Sequence, residues 1–584
     1  MTQSYTLSLA HINDTHSNFE PCRVQFSLNL GQHKLDVTSH SGGYARIGHH
    51  ITKARQAAAQ TNTPFVFLHG GDSFQGTLYF SHFKGKANAH LLNLLAPDAM
   101  VIGNHDIDEG NARLAEFAKQ IDFPLLAGNM DLSQEDLNKP GCLRGLPNIL
   151  DYDHQQKRAK YLLKPFHDKT LAIVGITLDQ MKEIARPDPD THFVDAIATT
   201  ARTVEHLKNQ GIKHIIVLSH LGLDQDKRLA AEVEGISLIV GGHTHTLQGD
   251  FRALGLSNLP YGEVINNTPI VHAGKYAEVV GLAEITFDAE GKVQSLTGGN
   301  YFMLDQHFIL SANTTVDNQD YQDYQAVRQQ LSQHPNVLWD DADTDIDGVI
   351  RDIYKPAIAE MENKVLALVP KNLVHTRLPS KALPHGSEIA PWVSRSMFQE
   401  AKLVDPRVNF ALHNAGGVRQ SVAQGQLTLA DVMGQLLPFE LPLVKYEIQG
   451  QFLYQALESA INAATNNSVR GTGAGSFPYT YGLRYYYDGR RPLGERLFRL
   501  EMMQQDSQSL WYPVEPESLY VGVSTSYTAA GKEGYHPLLQ ARWQESMESL
   551  TLPQAFIRFL NRSPNLSDLL SQHVHYTSHS QRMG

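Results

Sequence analysis

Five apolar segments of this 584-residue chain are each followed at once by residues that can bind metal ions. Carboxylate and amide oxygens and imidazole nitrogens all donate electron pairs to divalent cations. Glycines beside them let the backbone turn sharply and approach an ion closely. The segments and the residues that follow them are residues 5–12 with Asn13-Asp14-Thr15-His16, residues 65–68 with His69-Gly70-Gly71-Asp72, residues 99–102 with Gly103-Asn104-His105-Asp106, residues 215–218 with Ser219-His220, and residues 238–240 with Gly241-Gly242-His243-Thr244-His245.

This mixture of ligand types favours two metal ions over one. Imidazole suits zinc, copper, iron and nickel, whereas carboxylate oxygens suit manganese and magnesium. Two ions about 3.5–4 Å apart form the usual clamp for hydrolysis of a phosphate ester. A carboxylate can give one oxygen to each ion, and Asp72 stands between the two groups of ligands along the chain. The residues therefore predict a dimetal hydrolase with Asp72 as the bridge.

The elements that must position these residues are buried strands that alternate with helices. The apolar segments, together with residues 171–176 and 269–271, have the length and the valine, isoleucine and leucine content of buried strands. The polar stretches 46–60 and 194–210 have a helix-forming composition. This alternation predicts an α/β layered domain. Because ligands of open α/β sheets bind outside the carboxyl ends of the strands, we expect the five segment ends to converge.

The order of these motifs resembles that of the calcineurin-like metallophosphoesterases. Within that family the chain looks like the two-domain 5′-nucleotidases and UDP-sugar hydrolases, and Gly71-Asp72-Ser73-Phe74-Gln75-Gly76-Thr77 is especially similar to the animal ecto-enzyme type. The similarity extends over both halves of the chain. It implies an α/β protein with an N-terminal four-layer domain, a β-sandwich flanked by helices, and a C-terminal α+β domain that sets substrate specificity.

Carried over residue by residue, the resemblance implies a catalytic dyad and two metal sites. In the dyad, His105 would stabilise charge on the phosphoryl group or the leaving oxygen, and Asp108 would orient His105. The alternative for Asp108 is to cap the helix expected to begin near residue 111. The implied cofactors are two divalent ions (zinc, manganese, cobalt or magnesium), one bound by Asp14, His16, Asp72 and His245, the other by Asp72, Asn104, His220 and His243.

In the second half, the resemblance implies a set of substrate-binding residues. Arg419 would bind phosphate through its planar guanidinium, and Asn414 would form the preceding turn and line the site. Phe439 and Tyr527 would stack on the base, which contributes about 1–3 kcal/mol per base. Glu533 would contact the ribose hydroxyls. The alternative for the two aromatic residues is ordinary packing in a core.

Two features of the second half depart from the family pattern. Leu441 occupies the position of an asparagine that contacts the base, so we expect base recognition to differ or to be looser. Arg377 and Lys381 lie in the region of a family pair of arginines, but their spacing to Gly386-Ser387-Glu388 does not match, and they are left unassigned.

The length of the chain predicts two or more domains. Strand patterning fades in a polar stretch near residue 313, and Gly-rich loops and an aromatic strand over 479–487 mark the second half. We predict a metallophosphoesterase domain over 1–312, a connection over 313–366 and a substrate-binding domain over 367–584. Residues 347–366 predict a linker helix with Pro356 as a possible kink, and this helix is the expected hinge for closure on substrate.

The predicted reaction is hydrolysis of nucleoside 5′-monophosphates to nucleoside and phosphate. Nucleotide sugars, dinucleotides and 2′,3′-cyclic nucleotides are alternative substrates for the same site. A nucleotide-binding protein without turnover is the alternative from another class, but the chain keeps every expected ligand and both dyad residues. A sulfur-oxidation hydrolase of similar architecture is a third possibility, and the paired aromatic residues favour a nucleotide over it.

Charge and hydropathy limit the partners of the chain. The net charge of −12, without a long basic run, argues against binding to duplex nucleic acid. No apolar run reaches the roughly 18 residues of a membrane span. The first residues show no signal peptide, so we predict a cytoplasmic protein, with a periplasmic or secreted mature form as the alternative. The oligomeric state stays open.

Overall fold

The computed structural model divides the chain into two compact units, residues 1–356 and 357–584. The boundary falls within the connection that the sequence predicts over 313–366, of which residues 313–318 lie outside the described residues. The structure describes residues 4–30, 33–256, 258–311, 319–439, 441–469, 471, 473–504, 507–567 and 572–580.

The first unit contains an 11-stranded sheet with a parallel centre. Tyr5–Ile12 pairs in parallel with Phe65–His69, which pairs in parallel with Ala99–Val101. The carboxyl ends of these three strands therefore lie at one edge. In sheet order the main strands are Cys22–Leu30, His33–Ser41, Val293–Leu304, Val279–Phe287, Tyr5–Ile12, Phe65–His69, Ala99–Val101, Leu125–Leu126 and Ile149–Leu150, with Ile309–Ser311 and Val337–Trp339 attached at the side.

A six-stranded sheet forms the other half of this unit. Four neighbouring strands in it run parallel, so their carboxyl ends also share an edge. In sheet order its strands are Tyr161–Phe166, Lys169–Thr177, His214–His220, Leu238–Val240, Thr268–Val271 and Glu263–Ile265.

The two sheets pack face to face, and helices cover their outer faces. One apolar cluster combines Leu7, Val66 and Val101 of the larger sheet with Ile173 and Leu218 of the smaller one. A second cluster joins the other face of the smaller sheet to two helices. This arrangement confirms the predicted four-layer domain. Its main helices are Tyr44–Gln60, Leu78–Phe83, Lys86–Leu95, Asn111–Ala118, Ala196–Asn209, Leu223–Glu232 and Gln319–Gln333.

The predicted linker helix begins three residues and ends four residues earlier than expected, and it is less regular. Helical structure runs through Thr344–Val349, a π-helical turn Ile350–Tyr354 and Lys355–Glu362, and the strand Val365–Val369 follows. The irregular turn lies directly before Pro356, which has no N–H and whose ring clashes with the carbonyl four residues earlier. The proline thus interrupts the α-helical hydrogen bonding, as the sequence predicts.

The second unit has the predicted α+β character. A five-stranded sheet and a four-stranded sheet share one large apolar cluster with its helices. Among the described residues of the whole chain, no helix combines the length and the apolar character needed to cross a bilayer. The larger sheet is formed by Pro478–Tyr481, Val408–Asn414, Leu519–Thr525, Pro442–Gln449 and Trp543–Thr551, the smaller by Ser507–Pro513, Leu497–Gln504, Leu483–Asp488 and Val574–Thr577, and the main helices are Ala390–Val404, Gly450–Thr465 and Leu552–Arg562.

The aromatic strand predicted over 479–487 is wrong as a single element. It is two strands, Pro478–Tyr481 and Leu483–Asp488, which belong to different sheets. Gly482 separates them with a φ of +77°, and a Cβ at this position would lie 2.5 Å from the carbonyl oxygen of Asn409. The periodicity of the aromatic residues continues through the glycine, so it does not reveal the change of sheet.

We expect Gly482→Ala to destabilise the second unit by about 1–3 kcal/mol, because the residue needs both a left-handed backbone and space for the neighbouring strand. Gly494→Ala is the matched control, since Gly494 also has a positive φ but nothing within 4 Å of its Cβ position. Thermal unfolding of both variants measures the difference. Equal destabilisation would show that the close approach at Asn409 costs nothing.

Candidate active site

The loops that follow the five strands bring the predicted ligands into two groups. Three loops follow strands of the larger sheet and two follow strands of the smaller one. Each group could hold a metal ion, because the ligand atoms within that group all lie within 4.8 Å of one another. Five ligands have a positive φ, and such backbone strain concentrates where function requires a particular side-chain placement. These five are Asp14, His16, Asp72, His243 and His245.

The first group contains Asp14, His16 and His245. The Nε2 atoms of His16 and His245 lie 3.0 Å apart, and the Nε2 atom of His245 lies 3.6 Å from Oδ1 of Asp14. Asn13 donates a hydrogen bond of 2.6 Å to Oδ2 of Asp14. Asp14 and His16 are buried and His245 is half-buried. The group is thus compact and largely shielded from water.

The second group contains Asp72, His220 and His243, with Asn104 beside them. Oδ1 of Asn104 lies 2.9 Å from Nδ1 of His243 and 3.3 Å from Nε2 of His220. The backbone N–H of His243 donates to Asp14, which links this group to the first. All four side chains predicted for the second site therefore lie together.

Asp72 belongs to the second group and also faces the first. Its Oδ2 atom is 3.3 Å from Nε2 of His220 in the second group and 4.0 Å from Nε2 of His16 in the first. Burial opposes ionisation of Asp72, but the nearby imidazoles of His220 and His105 outweigh it and hold the pKa of the carboxyl well below its usual range. The structure thus places a carboxylate with a lowered pKa within reach of both groups.

The hydrogen bonds of the imidazoles fit metal binding. Nδ1 of His16 donates to the carbonyl oxygen of Phe74, and Nδ1 of His220 donates to that of Gly70. With the proton on Nδ1, each ring presents the lone pair of Nε2 toward the other ligands, and a hydrogen bond from the second ring nitrogen to a carbonyl is typical of metal-binding histidines. The combination of imidazole, carboxylate and amide oxygen suits divalent ions such as zinc and manganese.

His105 and Asp108 form a close pair next to Asp72. His105 begins the short 3-10 helix His105–Ile107, in which side chains three residues apart lie on the same side. Nδ1 of His105 is 2.5 Å from Oδ2 of Asp108, and the backbone N–H of His105 donates to Asp72. The N-cap of the following helix is Gly110, so Asp108 does not take the alternative role of cap.

Sequence reasoning gave no role to Asp106, which supports the Asp72 loop. Its buried carboxylate accepts hydrogen bonds from the backbone N–H groups of Asp72, Ser73, Phe74 and Gly103. Such a carboxylate holds two ligand-bearing loops in one arrangement. The only signal in the sequence is that Asp106 follows Asn104 and His105 in the same motif.

In the second unit, Asn414, Glu533 and Arg419 lie in one neighbourhood. The amide of Asn414 donates a hydrogen bond of 3.1 Å to Glu533. Burial raises the pKa of Glu533 to about 7, while the bond from Asn414 and the charges of Arg377 and Arg419 act in the opposite direction. Arg377, which the sequence left unassigned, therefore lies within electrostatic reach of this group.

The two predicted stacking residues occupy half-buried positions. The guanidinium of Arg419 lies over the ring of Phe439, 5.5 Å from its centroid. Tyr527 is in the short helix Ser526–Ala529, next to Thr528, whose hydroxyl donates to Asn414. Neither ring is enclosed in the way that Tyr535 is. Stacking of a base on these rings stays a prediction. Glu440, beside Phe439, lies outside the described residues.

Comparison with known proteins gives matches in both units. The family model "Calcineurin-like phosphoesterase" matches residues 7–247, and "5′-nucleotidase, C-terminal domain" matches residues 377–540. A probable 5′-nucleotidase of Treponema pallidum is 29% identical over 96% of this chain and 92% of its own length. An NAD 5′-nucleotidase of Haemophilus influenzae is 28% identical over 98% of this chain and 93% of its own.

Solved structures agree with these matches. A 5′-nucleotidase precursor from Thermus thermophilus has a TM-score of 0.76 at 27% identity and covers 98% of this chain and 99% of its own. The NAD nucleotidase of Haemophilus influenzae has a TM-score of 0.60 at 26% identity, with the same coverage. The chain therefore belongs to the calcineurin-like metallophosphoesterases that carry a C-terminal 5′-nucleotidase domain.

Proposed function

We propose that this protein hydrolyses nucleoside 5′-monophosphates to nucleoside and phosphate. The observation that carries the proposal is the position of Asp72, between two groups of metal-binding side chains and bonded to the backbone of His105. Relatives named 5′-nucleotidase match nearly the whole chain and support the same reaction.

Seven side chains would hold two divalent ions. Asp72 would contribute to both sites, and zinc, manganese, cobalt and magnesium are the candidate ions. When bound, such a pair activates water for attack and neutralises charge on a phosphate ester. The chain's part is to hold the ligands: Asp14, His16, Asp72 and His245 for one ion and Asp72, Asn104, His220 and His243 for the other.

His105 would act on the reacting phosphate itself. Because Nδ1–H of His105 donates to Asp108, the protonated, imidazolium form of the ring would use its Nε2–H to donate a hydrogen bond to a phosphoryl oxygen or to the leaving oxygen. Asp108 would keep the ring in that orientation.

Residues of the second unit are the candidates for recognising phosphate, ribose and base. Arg419 would bind phosphate and Phe439 and Tyr527 would stack on the base, with Asn414 and Glu533 near the ribose. Arg377 joins these residues as a candidate for binding an anionic group, since its charge acts on Glu533 together with that of Arg419.

Phosphate release from AMP and UMP, with Mn²⁺, Zn²⁺, Co²⁺ or EDTA, tests the proposal. We expect metal-dependent release that EDTA abolishes. If two ions bind but no nucleotide is cleaved, the proposal is wrong, and a nucleotide-binding protein without turnover is the alternative left standing.

Dinucleotides are a second candidate class of substrate. The NAD 5′-nucleotidase of Haemophilus influenzae is similar over 98% of this chain, and Leu441 stands where the family has a base-contacting asparagine. NAD, UDP-glucose and 2′,3′-cyclic AMP belong in the same assay with a coupled phosphatase. Activity confined to those substrates would keep the site chemistry and change the substrate class.

We expect the KM for AMP to fall as the pH rises through about 7. Glu533 has a pKa of about 7, so it is neutral below that pH and ionised above it. The carboxylate accepts hydrogen bonds from the ribose hydroxyls more strongly than the neutral acid does, because its two oxygens share a negative charge. Glu533→Gln should remove this part of the pH dependence, and 2′-deoxy-AMP should show less of it. If KM depends on pH identically in the wild type and in Glu533→Gln, Glu533 does not contact the ribose as proposed.

The location of the protein stays a prediction. The cytoplasm and the periplasm or exterior are the two candidates, and the Thermus relative, described as a precursor, supports the periplasmic or secreted alternative. Fractionation of the source cells with marker enzymes for each compartment decides between them.

A further inference from the structure

A buried pair, Asp226 and His272, lies among the ligand-bearing loops but contributes no predicted ligand. Both side chains are fully buried, and Nε2 of His272 donates a hydrogen bond of 2.8 Å to Oδ2 of Asp226. The other ring nitrogen of His272 has no hydrogen-bond partner among the described residues. Among the described residues, the imidazole of His272 therefore forms its hydrogen bond with Asp226.

Asp226 is bonded to the residue before a predicted metal ligand. Its Oδ1 atom accepts a hydrogen bond of 2.5 Å from the hydroxyl of Ser219, and His220 follows directly. The same hydroxyl accepts from the backbone N–H of Leu221. Asp226 thus fixes the Ser219 hydroxyl, which in turn holds the backbone N–H of Leu221 on the other side of His220.

The pair also packs against the loop that carries His243 and His245. A Cβ on Gly241 would lie 2.3 Å from both Oδ2 of Asp226 and Nε2 of His272. The carboxylate and imidazole therefore touch the backbone two residues before His243, and only glycine leaves room for them.

The segment that begins at His272 reaches a third ligand. The N–H of Ala273 donates to Oδ1 of Asn13, whose amide donates to Asp14 and to the carbonyl of Gly274. One buried pair is thereby connected with Asp14, His220 and the loop of His243.

We propose that Asp226 and His272 are positioning residues that set the mutual geometry of the metal ligands on these three loops. The inference rests on the proposed function, because it concerns the same metal sites. Neither residue would contact metal or substrate. The alternative is that the pair stabilises the fold only, as any satisfied buried carboxylate does.

Binding of Mn²⁺ to the metal-free protein, measured by calorimetry, separates the two possibilities. In Asp226→Ala, we expect at least one of the two Mn²⁺ sites to weaken by about 10–100-fold, the typical effect of losing a residue that orients metal ligands. Asp226→Asn should recover part of the loss, because its amide oxygen can still accept from His272.

Two further variants keep the test decisive. Ser219→Ala removes one hydrogen bond to Asp226, so it should fold and should weaken Mn²⁺ binding in the same direction by a smaller factor. Asp151→Ala is the matched control, since Asp151 is a buried carboxylate of the same unit that pairs with Lys160 and not with a ligand loop. Thermal unfolding without metal gives the folded fraction of each variant.

Weaker Mn²⁺ binding by the folded Ser219 and Asp226 variants, with an unchanged affinity in Asp151→Ala, supports the inference. Wild-type affinity in the folded Ser219→Ala and Asp226→Asn variants overturns it, even if their unfolding temperatures fall. If the wild-type protein itself does not bind two Mn²⁺ ions, the proposed dimetal function is wrong. This outcome differs from normal binding by both wild type and variants, which would contradict only the positioning role of Asp226 and His272.

Discussion

Replacing Asp72 with asparagine should reduce phosphate release from AMP by more than about 100-fold. Loss of a residue that merely orients metal ligands typically lowers metal affinity or activity by about 10–100-fold. Loss of a ligand shared by both sites should therefore lower the activity further. Asp72 is the side chain whose Oδ2 atom lies near imidazoles of both groups, at 3.3 Å from His220 and 4.0 Å from His16. An amide has one oxygen and no charge, so it cannot bridge two cations in the same way.

The expected loss should follow from metal binding and not from unfolding. Metal analysis of Asp72→Asn should find fewer than two ions per chain, while circular dichroism matches that of the wild type. Asp168→Asn, a change at an exposed carboxylate beside Lys169, is the control and should leave both metal content and activity unchanged. Full activity of Asp72→Asn with two bound ions would remove Asp72 from its bridging role.

Replacing His105 with alanine should lower kcat by about 10²–10⁴-fold, the usual contribution of a positioned general acid or base. Its metal content should stay at the wild-type value. The hydrogen bond of His105 to Asp72 is made by the backbone N–H, which alanine retains. His105→Ala therefore separates the role of the imidazole from that of the metal ligands.

Asp108→Asn is the companion variant for this prediction. Asp108 acts through His105, to which it is bonded at 2.5 Å, so its loss should cost less than that of His105. The double variant should be no slower than His105→Ala alone, since the two residues act as a unit. Losses of kcat that add in the double variant, or a wild-type kcat in His105→Ala, would contradict the proposal that His105 and Asp108 act as a dyad.

Much of the first unit could be predicted because its central strands are buried on both faces. Such strands read as short continuous apolar runs, and the predicted segment 238–240 coincides with Leu238–Val240. Parallel pairing then brings the residues after each strand to one edge. The predicted ligands could be expected to lie together because each ends or follows its strand directly along the chain.

Residues that act through distant partners could not be predicted in the same way. Asp226 contacts Ser219 seven residues earlier and His272 on another strand end, and Asp106 bonds to backbone groups around Asp72. Nothing in the local sequence of a buried aspartate says which loop it will meet. The division of the five strands between two sheets is likewise a long-range property.

The second unit was harder to predict because the roles of Gly482 and Arg377 depend on contacts between segments that are far apart in the sequence. Gly482 ends one strand and starts another in a different sheet, although the aromatic pattern is unbroken. Arg377 could not be aligned by spacing, yet its charge acts on Glu533. Both facts depend on the tertiary packing of segments that are far apart in the sequence.

Phosphate release from AMP by the metal-free protein, followed as Mn²⁺ is added in known equivalents, tests the central claim most directly. The claim is that two ions held by the groups on either side of Asp72 are required for hydrolysis. We predict no release without metal and full activity at two equivalents per chain, with none restored in Asp72→Asn. Release by the metal-free protein, or no release when two ions are bound, would contradict it.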